Sequence, residues 1–564
     1  MTPIEDPYAT RPWLKSYPKY VRAEIELKEG YTLNEMFLES VQRFPHRPVL
    51  ESFGVSISYF ALGGHAQAVA SWLLAQGLEK GDRVAIMSPN LASYPAILYG
   101  VLLAGGVVTN INPLYTSLEL ERQVNDAGAR FIFVLENFAH TVAEAWPHMR
   151  LEKAIILKPG DLLGGKGVLI NFLSRYVKRA VRPFVLPGST YLYEALRFGH
   201  LHLRPPAVVG PDDIAFLQYT GGTTGFAKGA VLLHRNVASN VEQAATWLEP
   251  YCKEPQKIVT ALPLYHIFGL TACLLMMVRI GGSCLLIANP RDIAGFIQTL
   301  RKSSFTMFSG VNTLYAALAD APGFAALDFS KLAFCISGGM ATQSAVAHKW
   351  KAVTGKAIVE GYGLSETSPI VCVNAPDVEE FTGTIGYPAP STDISIRAED
   401  GSVVPFGGSG ELCVKGPQVM KGYWRKPDET RAAMTADGFF RTGDVAAMLP
   451  DGKIKLVDRL KEMILVSGFN VYPNEVEDVL AHHPQVKEVA VIGAPDPHSG
   501  EAPVAFIVPR GEPPKPEELT KFVRESLTSY KLPKHYEFRE TLPKSPVGKV
   551  LRRVLREEYL KERG

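Results

Sequence analysis

Tyr219-Thr-Gly-Gly-Thr-Thr-Gly-Phe-Ala-Lys-Gly229 is the stretch from which the rest of the chain can be read. Backbone N–H groups converge on an anion only where side chains leave room, and glycine, lacking a Cβ, grants that access. The hydroxyls of Thr220, Thr223 and Thr224 add neutral donors or a metal ligand, and Lys228 brings a mobile positive charge to the outer phosphates. The stretch follows a strand-like run, Ile214 to Tyr219, and precedes a second, Ala230 to His234. A plain turn between two strands has a similar composition. A Walker A loop is disfavoured, because Lys228 stands three residues after Gly225 and is followed by Gly229 and Ala230 rather than by Ser or Thr.

Upstream, residues 31–157 alternate helix-like and strand-like segments. Thr32 to Arg43 and Leu91 to Ala104 read as helices, and Arg83 to Ser88, Val107 to Ile111 and Phe131 to Leu135 as apolar strands. That alternation predicts an α/β fold, a parallel-type sheet with covering helices. Downstream, Ile336-Ser-Gly-Gly-Met340 and Val359-Glu-Gly-Tyr-Gly-Leu-Ser-Glu-Thr367 read as strand ends running into Gly-rich turns, the places where α/β sheets bind ligands. Glu366 there is a hard oxygen ligand suited to Mg²⁺. His266 interrupts the apolar wall Thr260 to Leu270, where a core histidine and a functional one fit equally. From Gly407 short strands and turns predict a small β-rich unit, and after Asp458-Arg459 the pattern becomes a compact α+β domain. The expected division is 1–457 and 458–564.

With 564 residues, 46% hydrophobic and 21% charged, the chain can bury large sheets. A formal charge of +2 gives no bulk attraction to nucleic acid, and none is expected as a partner. The six cysteines contain no C-x-x-C pair and read as core residues in a reducing compartment. Residues 1–30 lack a secretory h-region, and the longest apolar runs fall short of a membrane span, so a cytoplasmic protein is expected. One further segment, Val168 to Phe184, reads as a basic amphipathic helix. Leu169, Phe172, Tyr176, Val177, Ala180, Val181 and Phe184 share one face, with Arg175, Lys178, Arg179 and Arg182 largely elsewhere. It can lie on the anionic cytoplasmic face of a membrane or pack as an ordinary helix with a solvated basic side.

Taken together the motifs resemble the adenylate-forming superfamily, most closely its bacterial long-chain-fatty-acid–CoA ligases. The resemblance spans essentially the whole chain. It rests on Tyr219 to Gly229, Leu262-Pro-Leu-Tyr-His266, Tyr362 to Pro369, Gly410 to Gly416 with Gly422-Tyr-Trp424, Asp437 to Asp444 leading to Asp458-Arg-Leu-Lys461, and Leu542 to Lys549. Gly222 stands where many members have Ser, and Ala227 where many have Pro. Ser337-Gly-Gly-Met340 is a looser match.

The resemblance implies activation of a long-chain fatty acid with ATP to acyl-AMP, then transfer of the acyl group to CoA. It implies an ATP site of Thr220, Gly221, Gly222, Thr223, Thr224, Gly225 and Lys228, with Gly338, Gly339, Glu360, Gly361, Tyr362, Gly363, Thr367, Asp444 and Arg459. Mg²⁺ would be held by Thr224 and Glu366. Lys549, Glu366 and His266 would carry the catalysis. The small C-terminal domain would swing at Asp458 and Lys461, bringing Ser467, Gly468, Phe469 and Asn470 to a CoA tunnel. A homodimer is compatible with this reading. An acyl-AMP ligase serving a carrier protein, an inactive adenylate- or fatty-acid-binding protein and a luciferase-type oxygenase stay open on motifs alone. A thioesterase of the α/β-hydrolase kind is disfavoured by the lack of a Gly-x-Ser-x-Gly elbow.

Overall fold

A computed structural model describes residues 6–220, 227–467, 469–545 and 548–563. The α/β expectation holds. Arg83–Met87 lies between Val107–Asn110 and Ala129–Leu135, all parallel. The connection to Val107–Asn110 is the helix Ser93–Leu103, every residue of which is buried. That explains an apolar run with no polar face. The helices on either side start where side chains supply the missing backbone acceptors. Thr32 with Glu35, and Thr116 with Glu119, form capping boxes.

Among the described residues these strands belong to an eight-stranded sheet. It continues through Ile214–Thr220 to Lys228–Leu233 and ends at Gly422–Tyr423. A second sheet of nine strands carries a parallel block running in the order Val359–Gly363, Phe334–Ser337, Met307–Gly310, Lys257–Thr260, Ser283–Leu286, Pro48–Ser52. Antiparallel strands close both its ends. One apolar core runs through both sheets and the helices between them. The β-rich unit is a four-stranded antiparallel sheet, Asp393–Arg397, Ser409–Lys415, Phe440–Met448 and Ile454–Arg459. The C-terminal unit has a five-stranded sheet and apolar cores of its own, one of them around Val476, Val491, Ile507 and Leu519, as an independently folding domain requires.

All six cysteines are free, and all except the half-buried Cys252 are buried. No helix among the described residues is long and apolar enough to cross a membrane. The segment read as a helix over 168–184 differs from that expectation in extent. It is helical over Gly164–Phe172 and continues as a wider turn through Leu173–Val177. Arg179 then adopts φ +48, and Pro183 restricts the residue before it. Its apolar residues face solvent: Val168, Phe172, Tyr176 and Val177 are 70%, 53%, 65% and 62% exposed. Arg175 instead turns inward to the buried Glu136, at 3.1 Å.

Residues 8–17 form a strap beneath the β-rich unit. Trp13 is 1% exposed and fills the space against Gly452, in the turn that joins Phe440–Met448 to Ile454–Arg459. The Tyr8 hydroxyl donates to the Val404 carbonyl at 2.9 Å. Arg11 reaches Asp393 at 2.5 Å. Replacing a fully buried tryptophan by alanine costs about 3–5 kcal/mol. Trp13→Ala is therefore expected to lower the urea midpoint of the first unfolding transition markedly, and an unchanged midpoint would show that the strap does not support the unit.

Candidate functional site

The site forms where the parallel strands of the nine-stranded sheet end. Ser337 and Glu360 are paired in register on adjacent strands, so the turns Gly338-Gly339 and Gly361-Tyr362 lie side by side. Glu360 is buried and accepts the Thr342 N–H at 3.0 Å. Burial pushes its carboxyl up to about 8. At Gly363 a Cβ would come within 1.8 Å of the Pro369 carbonyl oxygen, so only glycine lets the chain fold back here. Thr367 is fully buried, and its hydroxyl donates within this turn, to Pro369 at 2.5 Å. This bonding holds the turn.

The Tyr362 hydroxyl leaves this turn and donates to Asp444 Oδ2 at 2.5 Å. Burial, and then the Asp444 charge, push the phenol well above its usual value. Asp444 is 4% exposed and lies in register with Arg459 across two antiparallel strands. Side chains so paired share one face, and Arg459 Nε meets Asp444 Oδ1 at 3.0 Å. Glu366 is buried and accepts the Tyr423 hydroxyl at 2.8 Å, and burial raises its carboxyl. Lys228 is ion-paired to Glu429, with its ammonium 5.3 Å from the centre of the Tyr423 ring. Thr220 and Lys228 are in register on neighbouring strands. Gly221, Gly222, Thr223, Thr224 and Gly225 lie outside the described residues.

His266 follows the strand Lys257–Thr260. Its Nδ1 accepts the Phe268 N–H at 3.3 Å. Burial, and then the nearby Lys549 charge, push the imidazole down to about 4. It is therefore neutral near pH 7. Lys549 comes from the C-terminal unit on a turn held against the large unit, with Thr313 Oγ1 donating to the Gly548 carbonyl at 3.1 Å. Gly548 has φ +85, and a Cβ there would sit 2.7 Å from that same Oγ1. Burial and the Arg459 charge lower Lys549 to about 8, against Glu462 and Asp444. The fold thus gathers Lys549, His266, Asp444, Arg459, Tyr362 and Glu366 from both units around one place.

The segment between the units is equally ordered. Asp458 is 3% exposed, and its Oδ2 accepts the Asn474 N–H at 2.9 Å. Lys461 is exposed in the turn that follows. Ser467, with φ +50, Phe469 and Asn470 form the tip of an exposed hairpin between Ile464–Val466 and Phe469–Val471. Gly468 lies outside the described residues. Sequence reasoning assigned no role to Tyr423 or Glu429. Tyr423 stood within the quoted Gly422-Tyr-Trp424 motif, whereas no local signal marked Glu429.

One carboxylate of the Glu366 type, buried and hard, fits Mg²⁺, which takes one or two carboxylates and completes its shell with phosphate oxygens and water. Among the described residues no group of three or more His, Cys, Asp or Glu could hold a metal ion.

Residues 37–424 match the AMP-binding enzyme family, and residues 475–549 match the C-terminal domain of AMP-binding enzymes. The chain is 48% identical to a long-chain-fatty-acid–CoA ligase of Yersinia pestis over 97% of this chain and 98% of that one. Among solved structures it is similar to ATP-bound MatB from Rhodopseudomonas palustris, with a TM-score of 0.80, 29% identity, and coverage of 94% of this chain and 99% of that one. Apo MatB gives 0.70 at the same identity, with 95% and 100% covered. With both domains matched in order and the strand-end site built from residues of each, the chain belongs to the AMP-binding enzymes of the adenylate-forming superfamily.

Proposed function

We propose that this protein joins a long-chain fatty acid to CoA through acyl-AMP, splitting ATP to AMP and pyrophosphate. The observation that carries the reading is the docking of Lys549 from the small unit beside Asp444, Arg459 and His266 of the large one. The near full-length likeness to a long-chain-fatty-acid–CoA ligase supports the substrate class. The better agreement with ATP-bound than with apo MatB supports an adenylating arrangement of the two units.

In the first step a fatty carboxylate oxygen bonds to the α-phosphorus as the bond from that phosphorus to the pyrophosphate oxygen breaks. The protein supplies position and charge for this in-line exchange. The Thr220 to Lys228 loop holds the outer phosphates, with Lys228 leaving Glu429 for them. Asp444 accepts hydrogen bonds from the ribose hydroxyls, Arg459 holds Asp444 in place, and the turns at Gly338-Gly339 and Gly361 seat the base. Glu366 and Thr224 would hold Mg²⁺, which when bound neutralises phosphate charge. His266, being neutral, faces the fatty carboxylate without trapping it as a salt. Lys549 supplies the positive charge where negative charge gathers between carboxylate and α-phosphate. In the second step the CoA sulfur bonds to the acyl carbon, its proton leaves, and the acyl–oxygen bond to AMP breaks. Rotation about the turn at Lys461 withdraws Lys549 and brings Ser467, Gly468, Phe469 and Asn470 to the thiol path.

The outward apolar face of 164–177 favours one addition to this reading, peripheral contact with a membrane that stores the fatty acid. Lys178, Arg179 and Arg182 lie exposed beside that face, the pairing of apolar and basic groups that binds anionic lipid.

Pyrophosphate exchange into ATP is expected to depend on long-chain fatty acid, and CoA is expected to convert the product to acyl-CoA. Exchange without a CoA product would favour a carrier-protein ligase. Lys549→Ala is expected to lose acyl-AMP formation by about 10²-fold or more, in the range of other lost transition-state charges, while converting supplied acyl-AMP to acyl-CoA. Lys461→Pro is expected to do the opposite, and equal losses in both half-reactions would refute the division of labour. Because Lys549 is charged below about 8, kcat/KM for adenylation should fall as pH rises through 8, reporting the free enzyme. A flat profile to pH 9.5 would remove Lys549 as the titrating group. Charge reversal at Lys178, Arg179 and Arg182 should reduce sedimentation with anionic vesicles, most at low salt, and unchanged sedimentation would end the membrane reading.

A further inference from the structure

Two helices that meet at the boundary between the units lack caps of their own. Pro473–Ala481 in the small unit follows Tyr472, and Ser344–Thr354 in the large unit follows Gln343; neither preceding side chain accepts a backbone N–H. Each helix is instead capped from across the boundary. Asp458, whose backbone is still paired with Val445 in the large unit's sheet, accepts the Asn474 N–H at 2.9 Å. Asp478, one turn further along that helix, reaches back. Its Oδ1 accepts the Ser344 N–H at 3.1 Å and the Ser344 hydroxyl at 2.8 Å. His482 on the next turn places Nε2 at 3.2 Å from the same hydroxyl. A helix start leaves its first N–H groups without partners, and a carboxylate there meets both the hydrogen-bonding need and the positive end of the helix.

We propose that this reciprocal capping is the latch that selects the orientation in which Lys549 enters the site, and that Asp478 is a positioning residue for adenylation. The proposal rests on the two-orientation reading above. Both capping bonds join groups on opposite sides of the 460–463 turn, so a rotation there breaks them together and uncaps both helices at once. Two other charged contacts cross this boundary: Arg510 with Asp320 at 3.2 Å joins half-exposed groups and contributes little, whereas Arg552 lies 4.0 Å from the buried Asp458 and adds to the latch at that same carboxylate. Asp478 hydrogen-bonds to Ser344 rather than to the strand-end turns or Lys549, and its charge is the smallest of the influences on Glu360, so it can bias the orientation without contacting the reacting groups.

The test compares both half-reactions in Asp478→Ala and Asp478→Asn of the full chain. Loss of a cap of ~1 kcal/mol corresponds to about a fivefold change in a two-state ratio. Asp478→Ala is expected to slow fatty-acid-dependent pyrophosphate exchange about fivefold and to leave unchanged, or to speed, the conversion of supplied acyl-AMP to acyl-CoA. Asp478→Asn, which keeps an acceptor without the charge, should fall between. Equal losses in both half-reactions, or no change in either, would overturn the latch. Lys549→Ala run in parallel separates the two ideas: if it divides the half-reactions and Asp478→Ala does not, the swing stands and the latch falls. If neither divides them, both fall.

Discussion

The contact on which the site depends is the pairing of Asp444 with Arg459, made by two residues in register at the edge of the small antiparallel sheet. Taking two such charges out of water offsets much of their attraction, so the pair is a poor source of stability. Its value is geometric. Asp444 also receives the Tyr362 hydroxyl from the nine-stranded sheet, so one carboxylate fixes the distance between two sheets that share no strand. Arg459 is the last residue of its strand, and the chain turns from there into the small C-terminal unit. The same guanidinium lowers the ammonium of Lys549, after burial the largest influence on it. The lysine is thus held where burial and Arg459 disfavour its charge, partly offset by Glu462 and Asp444.

Much of this was legible in the sequence, for physical reasons. Buried parallel strands and all-round apolar helices such as Ser93–Leu103 announce themselves because both faces must be apolar. The Gly-rich turns at strand ends mark close approach of backbones, as Gly363 against Pro369 bears out. The segment 164–177 was legible in its periodicity and illegible in its direction. Periodicity tells which residues share a face, and only the surrounding fold decides whether that face meets protein or solvent. Thr367 stood inside the most recognisable motif, yet its hydroxyl serves the turn. The contacts least visible were those between positions far apart in the chain: Tyr423 with Glu366, 57 residues away, and Ser344 with Asp478, 134 residues away. No local pattern encodes such pairs, since nothing around one partner in sequence points to the other.

The two units meet through few, directional bonds. Thr313 holds the Gly548 carbonyl, and the small unit keeps apolar cores separate from that of the large one. A boundary of this kind is exchangeable, because a hydrogen bond lost to rotation is replaced by one to water at a small net cost, whereas a shared apolar core would resist any rotation. Arg552 braces the small unit from within. It binds Glu477 at 2.8 Å and Asn474 at 2.5 Å, and pairs with Glu462, fastening the helix that follows Lys549 to the helix at the boundary.

The strap formed by residues 8–17 has a consequence for how the large unit folds. The Tyr8 hydroxyl finds its acceptor at Val404, 396 residues later, and that of Tyr17 finds Pro388, 371 residues later. While the large unit folds, Tyr8, Trp13 and Tyr17 stay uncovered until the chain around Val404 and Pro388 has taken its place. Contacts of such long separation close slowly, and an aromatic segment left open through that interval is a ready site for chaperone binding or for misassembly with a neighbouring nascent chain. Closure of the strap over the β-rich unit thus belongs to the slow, long-range part of the large unit's folding.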